Sequence, residues 1–276
     1  TKSEFLAEKP HTNTLVPSTV TDMIQLLDNQ DGINLSTPAS NLLSADEYFY
    51  PKAEMLNAVR IKTEKNWYLW NPDIYQGETN IPDWNAPYAA IFYTNVVLDQ
   101  WEQLPEIDKQ SDQGRMVKGW ALFERGHNFF KLAQTFCKGY DKTSSNTDLG
   151  IPLRLKSDIN DLQKRATLKQ SFDQIISDVS SSVWLLPSSL PIKNYNRPSR
   201  SAAYALLARI YLYMRDYQNA GEYSDSSLQL VNAITDYNLL DSATLNPFLG
   251  ITKELLYLSA TNTTYGNVVV GYGTAI

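Results

Sequence analysis

Apolar positions return every three or four residues through several stretches of this chain, the period of a helix with one buried face. The first lies in PSTVTDMIQLLDNQDG, where Ser18 and Thr19 supply a start and Gly32 a stop. Residues 33–52 mix Pro38 and Pro51 with Ser and Asn and read as an ordered loop, with a short helix expected over 52–64. Residues 66–88, NWYLWNPDIYQGETNIPDWNAPY, lack a helical period and are expected to be loop. Helix returns over 84–104, with Tyr88, Ile91, Asn95 and Leu98 on one face and Pro105 as its stop. Asn95 is the polar exception on that face; if buried it must hydrogen-bond, and a neighbouring backbone is the candidate partner.

The next helix spans 113–136 and carries Gly119, Gly126 and Ala133 seven residues apart. Three small residues on one stripe imply close approach by another helix, with Leu122, Phe129 and Phe136 flanking it. The connection 138–166 contains LGIPLRL, where a brief strand is expected. Residues 171–186 read as helix, with Ser171 and Gln174 as a capping box and Pro187 as the stop. Residues 199–230 then give one helix–turn–helix unit of the tetratricopeptide type, a repeat of about 34 residues. Tyr204, Leu207, Ala208 and Tyr211 fill its first-helix positions, Tyr217 opens the second helix, and Ala220 and Ser227 are the small residues that pack back. A larger side chain at Ala208 or Ala220 would push the pair apart. Tyr223 sits one position early for the usual aromatic, and Asn232 replaces the usual closing Pro. Such a unit cannot bury its apolar face alone, so further helices must stack on it. After Leu240 the pattern decays, and the apolar tail NVVVGYGTAI reads as a chain cut short.

Composition changes this picture in a few places. At 276 residues, 43% hydrophobic and 20% charged, the chain falls among folded proteins with a sizeable core. A net charge of −6 argues against nucleic acid, which is held by clustered Lys and Arg. No run of 18 apolar residues is present to span a membrane, and no signal peptide is visible at Thr1. The lone Cys137 excludes an internal disulfide and a thiolate metal cluster, and its neighbours Phe129, Leu132 and Phe136 suggest an inert buried thiol. With 17 Tyr and 6 Trp against 9 Phe, most rings carry a polar handle and suit half-wet surfaces.

Five segments in order resemble the SusD/RagB family of surface lipoproteins, which capture glycans beside an outer-membrane transporter. FLAEKP with LVPSTVTDMIQLLDN is similar to the family's mature N-terminus. WNAPYAAIFYTNVVLDQWEQL is similar to its W…Y…I…N helix through Trp84, Tyr88, Ile91 and Asn95. GWALFERGHNFFKLAQTFCKGY, followed by LGIPLRL, matches the family helix at Gly119, Ala121, Phe123, Arg125 and Phe130, with Gly126 in place of Ala. SFDQIISDVSSSVWLLP and RPSRSAAYALLARIYLYMRDYQNA complete the set. The resemblance implies an all-α scaffold of tetratricopeptide-like helix pairs with long irregular loops and short strands, read here as one domain over residues 1–276. It implies a longer protein, of which this is the N-terminal portion, with the signal peptide and lipidated cysteine ahead of Thr1. It also implies a SusC-like TonB-dependent transporter as partner, a place on the outer membrane, and no catalysis.

Sugar binding on an open surface needs flat rings for the apolar sugar faces and amides or carboxylates for the hydroxyls. The 66–88 segment offers Trp67, Trp70, Tyr75 and Trp84 beside Asn71, Asp73, Gln76, Asn80 and Asn85. Trp67, Trp70, Asn71, Asp73, Tyr75, Trp84 and Asn85 are the candidate glycan contacts; the alternative is that the Trp residues anchor a long loop. A glycosidase would need two carboxylates about 5–10 Å apart across a cleft. Asp46 with Glu47, and Asp73 with Glu78, are available pairs, but 30 acidic residues supply such pairs by chance. His11 and His127 lack metal-ligand spacing, and there is no G-x-S-x-G elbow or phosphate-cradling glycine loop. No cofactor or metal is expected. The competing function is a tetratricopeptide adaptor for a protein or peptide, disfavoured by the long insertions at 33–87 and 138–170.

Overall fold

A computed structural model of the chain describes residues 16–46, 48–50, 56, 61–191, 194–240, 243, 254–261 and 274–275. The fold is arranged around the helix in which the glycine stripe lies. In chain order the helices are α1 (Val20–Leu27), α2 (Ser40–Leu43), α3 (Lys62–Tyr68), α4 (Pro82–Trp101), α5 (Glu106–Gln110), α6 (Asp112–Phe136), α7 (Leu168–Ser182), α8 (Arg200–Tyr213) and α9 (Tyr217–Leu228). A π-helical turn covers Gln30–Asn34 and a 3-10 turn Tyr237–Leu239. Strands β1 (Tyr48–Phe49) and β4 (Thr274–Ala275) pair antiparallel, as do β2 (Leu149–Pro152) and β3 (Arg165–Thr167). The architecture is therefore all-α with two small strand pairs, as the periodicity predicts.

α6 is buried on nearly every side, so its apolar residues form no single stripe. α4 packs along one flank and α7 along the other, while α8 and α9 pair with each other beyond α7. Met23, Ile91, Val97, Trp120, Phe123, Phe129, Leu132, Phe172 and Leu207 belong to one continuous apolar cluster. The glycines explain the close approach of α7. A Cβ on Gly126 would stand 2.7 Å from Cγ2 of Val179, and one on Gly119 would stand 2.7 Å from Cβ of Leu185. Neither distance is tolerable, so both positions require a missing side chain.

Polar groups inside this core are matched across elements. Arg125 donates two bonds to Asp178, at 2.8 and 2.7 Å, and a third to Oδ1 of Asn95 at 3.1 Å. Asn95 in turn donates to the carbonyls of Arg154 and Lys156, at 2.9 and 3.2 Å, which is the backbone pairing its sequence position demanded. Near the middle of α6, Tyr257 donates to Glu124 at 2.6 Å and Lys131 donates to Ser259 at 2.7 Å. Ser259 shares a hydrogen bond with Thr37, and Thr37 N–H donates to the Ala260 carbonyl, so segment 254–261 is sewn to the N-terminal loop. His127 packs against the rings of Phe123 and Tyr257, and burial holds its pKa well below the ordinary imidazole value.

Four expectations need correction. The first is the loop expected over 33–52, which holds the short helix α2. α4 starts at Pro82, two residues before Trp84, because a proline at the first helical turn needs no N–H partner. α7 starts at Leu168 and ends at Ser182, with Thr167 and Gln170 forming the capping box. Ser171 donates instead to the Thr167 carbonyl and accepts from Ile151 N–H, which fastens α7 to β2. Gly150 lies at that junction, where a Cβ would meet the Ser171 hydroxyl at 2.1 Å. The segment 66–88 is only partly loop, since its ends belong to α3 and α4. Most of the helix expected over 52–64 lies outside the described residues, as do His11, Glu47 and most of the apolar tail.

The tetratricopeptide-like pair forms as expected. Asp216 caps α9 and Tyr217 opens it, and the hydroxyls of Ser201 and Ser227 meet at 2.9 Å where the two helices touch. Tyr223 stacks on Tyr211 with centroids 5.4 Å apart and planes at 6°, so the shifted aromatic still closes the pair. Among the described residues no helix is long and apolar enough to cross a membrane, and no group of His, Cys, Asp and Glu could hold a metal ion.

Candidate functional site

The seven candidate residues separate into two neighbourhoods. Trp67 lies on α3, half-buried against a small cluster containing Ala39 and Leu43, with its ring edge-on to Tyr75 at 6.1 Å. Asn66 holds the following loop: its amide donates to the Ile74 carbonyl at 2.8 Å and its Oδ1 accepts from Asn71 at 2.7 Å. Asp73 accepts from Gln76 N–H at 2.9 Å, and Gln76 and Gly77 turn the chain at φ of 48° and 84°. The side-chain oxygens and amides of Asn71 and Asp73 are thus partly used in building the loop. Trp70 is different: its backbone has a φ of 53° and its side chain is 77% exposed. Its left-handed backbone ends α3, where Asn71 N–H closes on the Asn66 carbonyl at 3.0 Å, and this turn leaves the indole in solvent, open to stack on a ligand.

On α3, Glu64 is only 1% exposed, and neither carboxylate oxygen has a hydrogen-bond partner among the described residues. Desolvation alone raises its pKa to about 7.

Trp84 and Asn85 stand in the first turn of α4. Trp84 is half-buried against Tyr88 and Phe136, with centroids 5.0 and 4.9 Å away. Asn85 is exposed and donates to Asn80 at 2.8 Å, the contact that joins the loop to the helix. Trp84, Asn85 and Tyr88 line one wall of a cleft of about 330 Å³, opposite Pro152, Arg154, Asp161 and Gln163. Tyr88 uses its hydroxyl to hold the Pro152 carbonyl at 2.8 Å, and burial raises its pKa. Arg154 is held by the carbonyls of Asp158 and Ile159. The wall formed by 152–163 had no sequence signal beyond the proline of LGIPLRL, because an irregular loop carries no period.

The arrangement offers rings, amides and a guanidinium on open surfaces, and the cleft beside Trp84 carries one carboxylate, Asp161. The half-buried Cys137 thiol is raised in pKa by burial and lies 3.7 Å from a nitrogen of Arg165.

Residues 4–212 match the family model described as SusD-like, starch-binding and associating with the outer membrane. The chain belongs to the SusD-like family. The structure of a SusD superfamily protein from Bacteroides thetaiotaomicron matches with a TM-score of 0.62 and 22% identity, over 76% of this chain and 46% of that one. A SusD-like carbohydrate binding protein from Bacteroides vulgatus matches at 0.60 and 17%, over 80% and 47%. A laminarin binding SusD-like protein matches at 0.56 and 17%, over 78% and 44%. The chain therefore spans under half the length of each, and the likeness is one of fold. A comparison with curated proteins finds no match.

Proposed function

We propose that this SusD-like chain captures an oligosaccharide at the bacterial outer-membrane surface and hands it to a SusC-like TonB-dependent transporter, breaking no bond. The family match over residues 4–212 carries this reading. The solvated ring of Trp70, the amides of Asn71 and Asn85 and the cleft beside Trp84 support it chemically. Stacking on an indole covers the C–H face of a sugar, and the flanking amides orient its hydroxyls. The shared apolar core supports treating residues 1–276 as one domain. Surface anchoring, transporter docking and the absence of catalysis come with the family rather than with these residues.

Calorimetric titration with malto- and laminari-oligosaccharides tests the reading. Trp70→Ala should weaken binding tenfold or more with helical circular dichroism unchanged. Trp84→Ala should weaken it as well. Affinity unchanged in both variants would remove the loop from the site. The adaptor reading retains one observation, an apolar groove of about 620 Å³ along α8 and α9 lined by Ala205, Leu212, Tyr217 and Leu228. The connections 69–81 and 137–148 break any regular repeat array, which leaves that reading second.

A further inference from the structure

The most exposed indole after Trp70 is not in the ring-rich loop. Trp184 is 67% exposed in the turn that follows α7. It lines a cavity of about 420 Å³ shared by the N-terminal turns of α6 and α8. That volume lies within the roughly 300–1,000 Å³ of small-ligand pockets. The guanidinium of Arg200 lies 4.7 Å from the indole centroid, so one part of the ring is covered by a cation while most of it faces solvent.

Two arginines line this cavity, and both donate to backbone carbonyls of the same turn. Arg200 donates to Val183 and Leu186, at 3.2 and 3.4 Å, and Arg115 donates to Trp184 at 3.4 Å. Among the described residues neither is in an ion pair with a carboxylate. Arg125 and Arg197, by contrast, each engage an aspartate. Two guanidinium groups line this cavity against a single carboxylate, Asp112, which is in no ion pair with either among the described residues. On a chain of net charge −6 they are a local reversal of sign. Arg200, held by two carbonyls and the indole, loses little freedom when it donates to a planar carboxylate, and the exposed Arg115 can turn toward the same group. Gln113, Ser188 and Ser189 add amide and hydroxyl groups to the lining, and Asp112 adds a carboxylate on the first turn of α6.

We propose that this cavity is a second sugar site, selective for a uronic-acid residue. The indole of Trp184 stacks on the sugar ring, Arg115 and Arg200 bind its carboxylate, and Gln113 and Ser188 meet its hydroxyls. The site is separate from the loop that carries Trp70, and it stands whether or not that loop binds glucans.

Titration of the chain with tri-galacturonic acid tests this, with maltotriose as neutral control and sodium sulfate as anion control. Binding of tri-galacturonic acid is expected, weakened tenfold or more by Trp184→Ala and by Arg115→Gln and unchanged by Trp70→Ala. Arg115 is exposed and makes one long bond, so Arg115→Gln keeps the fold, which circular dichroism verifies. Maltotriose should not compete, and sulfate at equal concentration should not displace the uronate. No binding of tri-galacturonic acid would overturn the proposal. So would binding that survives Trp184→Ala and Arg115→Gln, or that sulfate abolishes at equal concentration. Failure of glucan binding through Trp70 leaves these outcomes untouched, so the two readings fail separately.

Discussion

Replacing Arg125 by Met removes the positive member of a buried pair and keeps the length of its stem. Arg125 and Asp178 are 8% and 3% exposed and are joined by two hydrogen bonds of 2.8 and 2.7 Å. In the variant Asp178 keeps one described donor, the Gln174 amide at 2.9 Å, and its charge has no counterion. Stranding one charge of a buried pair costs about 3–5 kcal/mol. Asn95 also loses its donor, while its own amide still holds the carbonyls of Arg154 and Lys156. At about 2–4 °C per kcal/mol for a chain near this size, the midpoint of thermal unfolding should fall by about 6–20 °C. Urea unfolding followed at 222 nm gives the free energy directly. The double variant Arg125→Met/Asp178→Leu should recover at least about 2 kcal/mol relative to the sum of the single changes, because no stranded charge remains. A loss under about 1 kcal/mol in Arg125→Met, or strict additivity in the double variant, would refute the reasoning.

Gly126→Val drives a side chain into Val179 and Asp178, and overpacking of this kind costs about 1–3 kcal/mol in urea unfolding; an unchanged midpoint would mean that α7 can retreat from α6. Trp70→Ala should change stability by no more than about 0.5 kcal/mol, whereas Trp84→Ala, which leaves Phe136 and Tyr88 unpacked, should lose about 2 kcal/mol or more; equal losses would show that exposure does not separate the two indoles. Glu64 has a folded pKa raised to about 7 from 4.5, so the folded state favours its protonated form. That stabilisation is complete below pH 4.5 and is lost as pH rises through about 7. Glu64→Gln should therefore raise stability at pH 8 by about 1–2 kcal/mol and flatten the slope between pH 5 and 8, which urea titrations at the two pH values measure.

Much of the scaffold was legible because helix packing writes itself into spacing. Gly119 and Gly126 announce a partner that comes within contact of the backbone, and Asn95 on an apolar face announces a buried acceptor. Less was legible where two local readings fit equally well. Thr167 with Gln170 and Ser171 with Gln174 both have capping spacing, and what decides between them is Ile151 N–H, twenty residues upstream. The same limit applies to the site. Trp67, Trp70 and Trp84 look alike in the sequence, yet one belongs to a helix, one to solvent and one to a contact with Phe136. Exposure is fixed by remote partners, so ring count marks a region and leaves the individual contacts undecided. Trp184 carries the opposite signal in the sequence, since it sits in a helix-ending motif that reads as purely structural.

The pairing of Thr37 with segment 254–261 has a consequence for the order in which the chain folds. Thr37 and Ser259 are 222 residues apart, whereas Ser201 and Ser227, which join α8 to α9, are 26 apart. Closing the longer loop costs about 2 kcal/mol more in chain entropy if nothing intervenes. The helix pair can therefore form as soon as it exists, while the seam across α6 must wait until the intervening helices have shortened the distance. Tyr257 and Ser259 then reach Glu124 and Lys131 only after the core is in place. The seam acts as a latch on a finished body, and its opening by local unfolding should precede loss of the helices it covers.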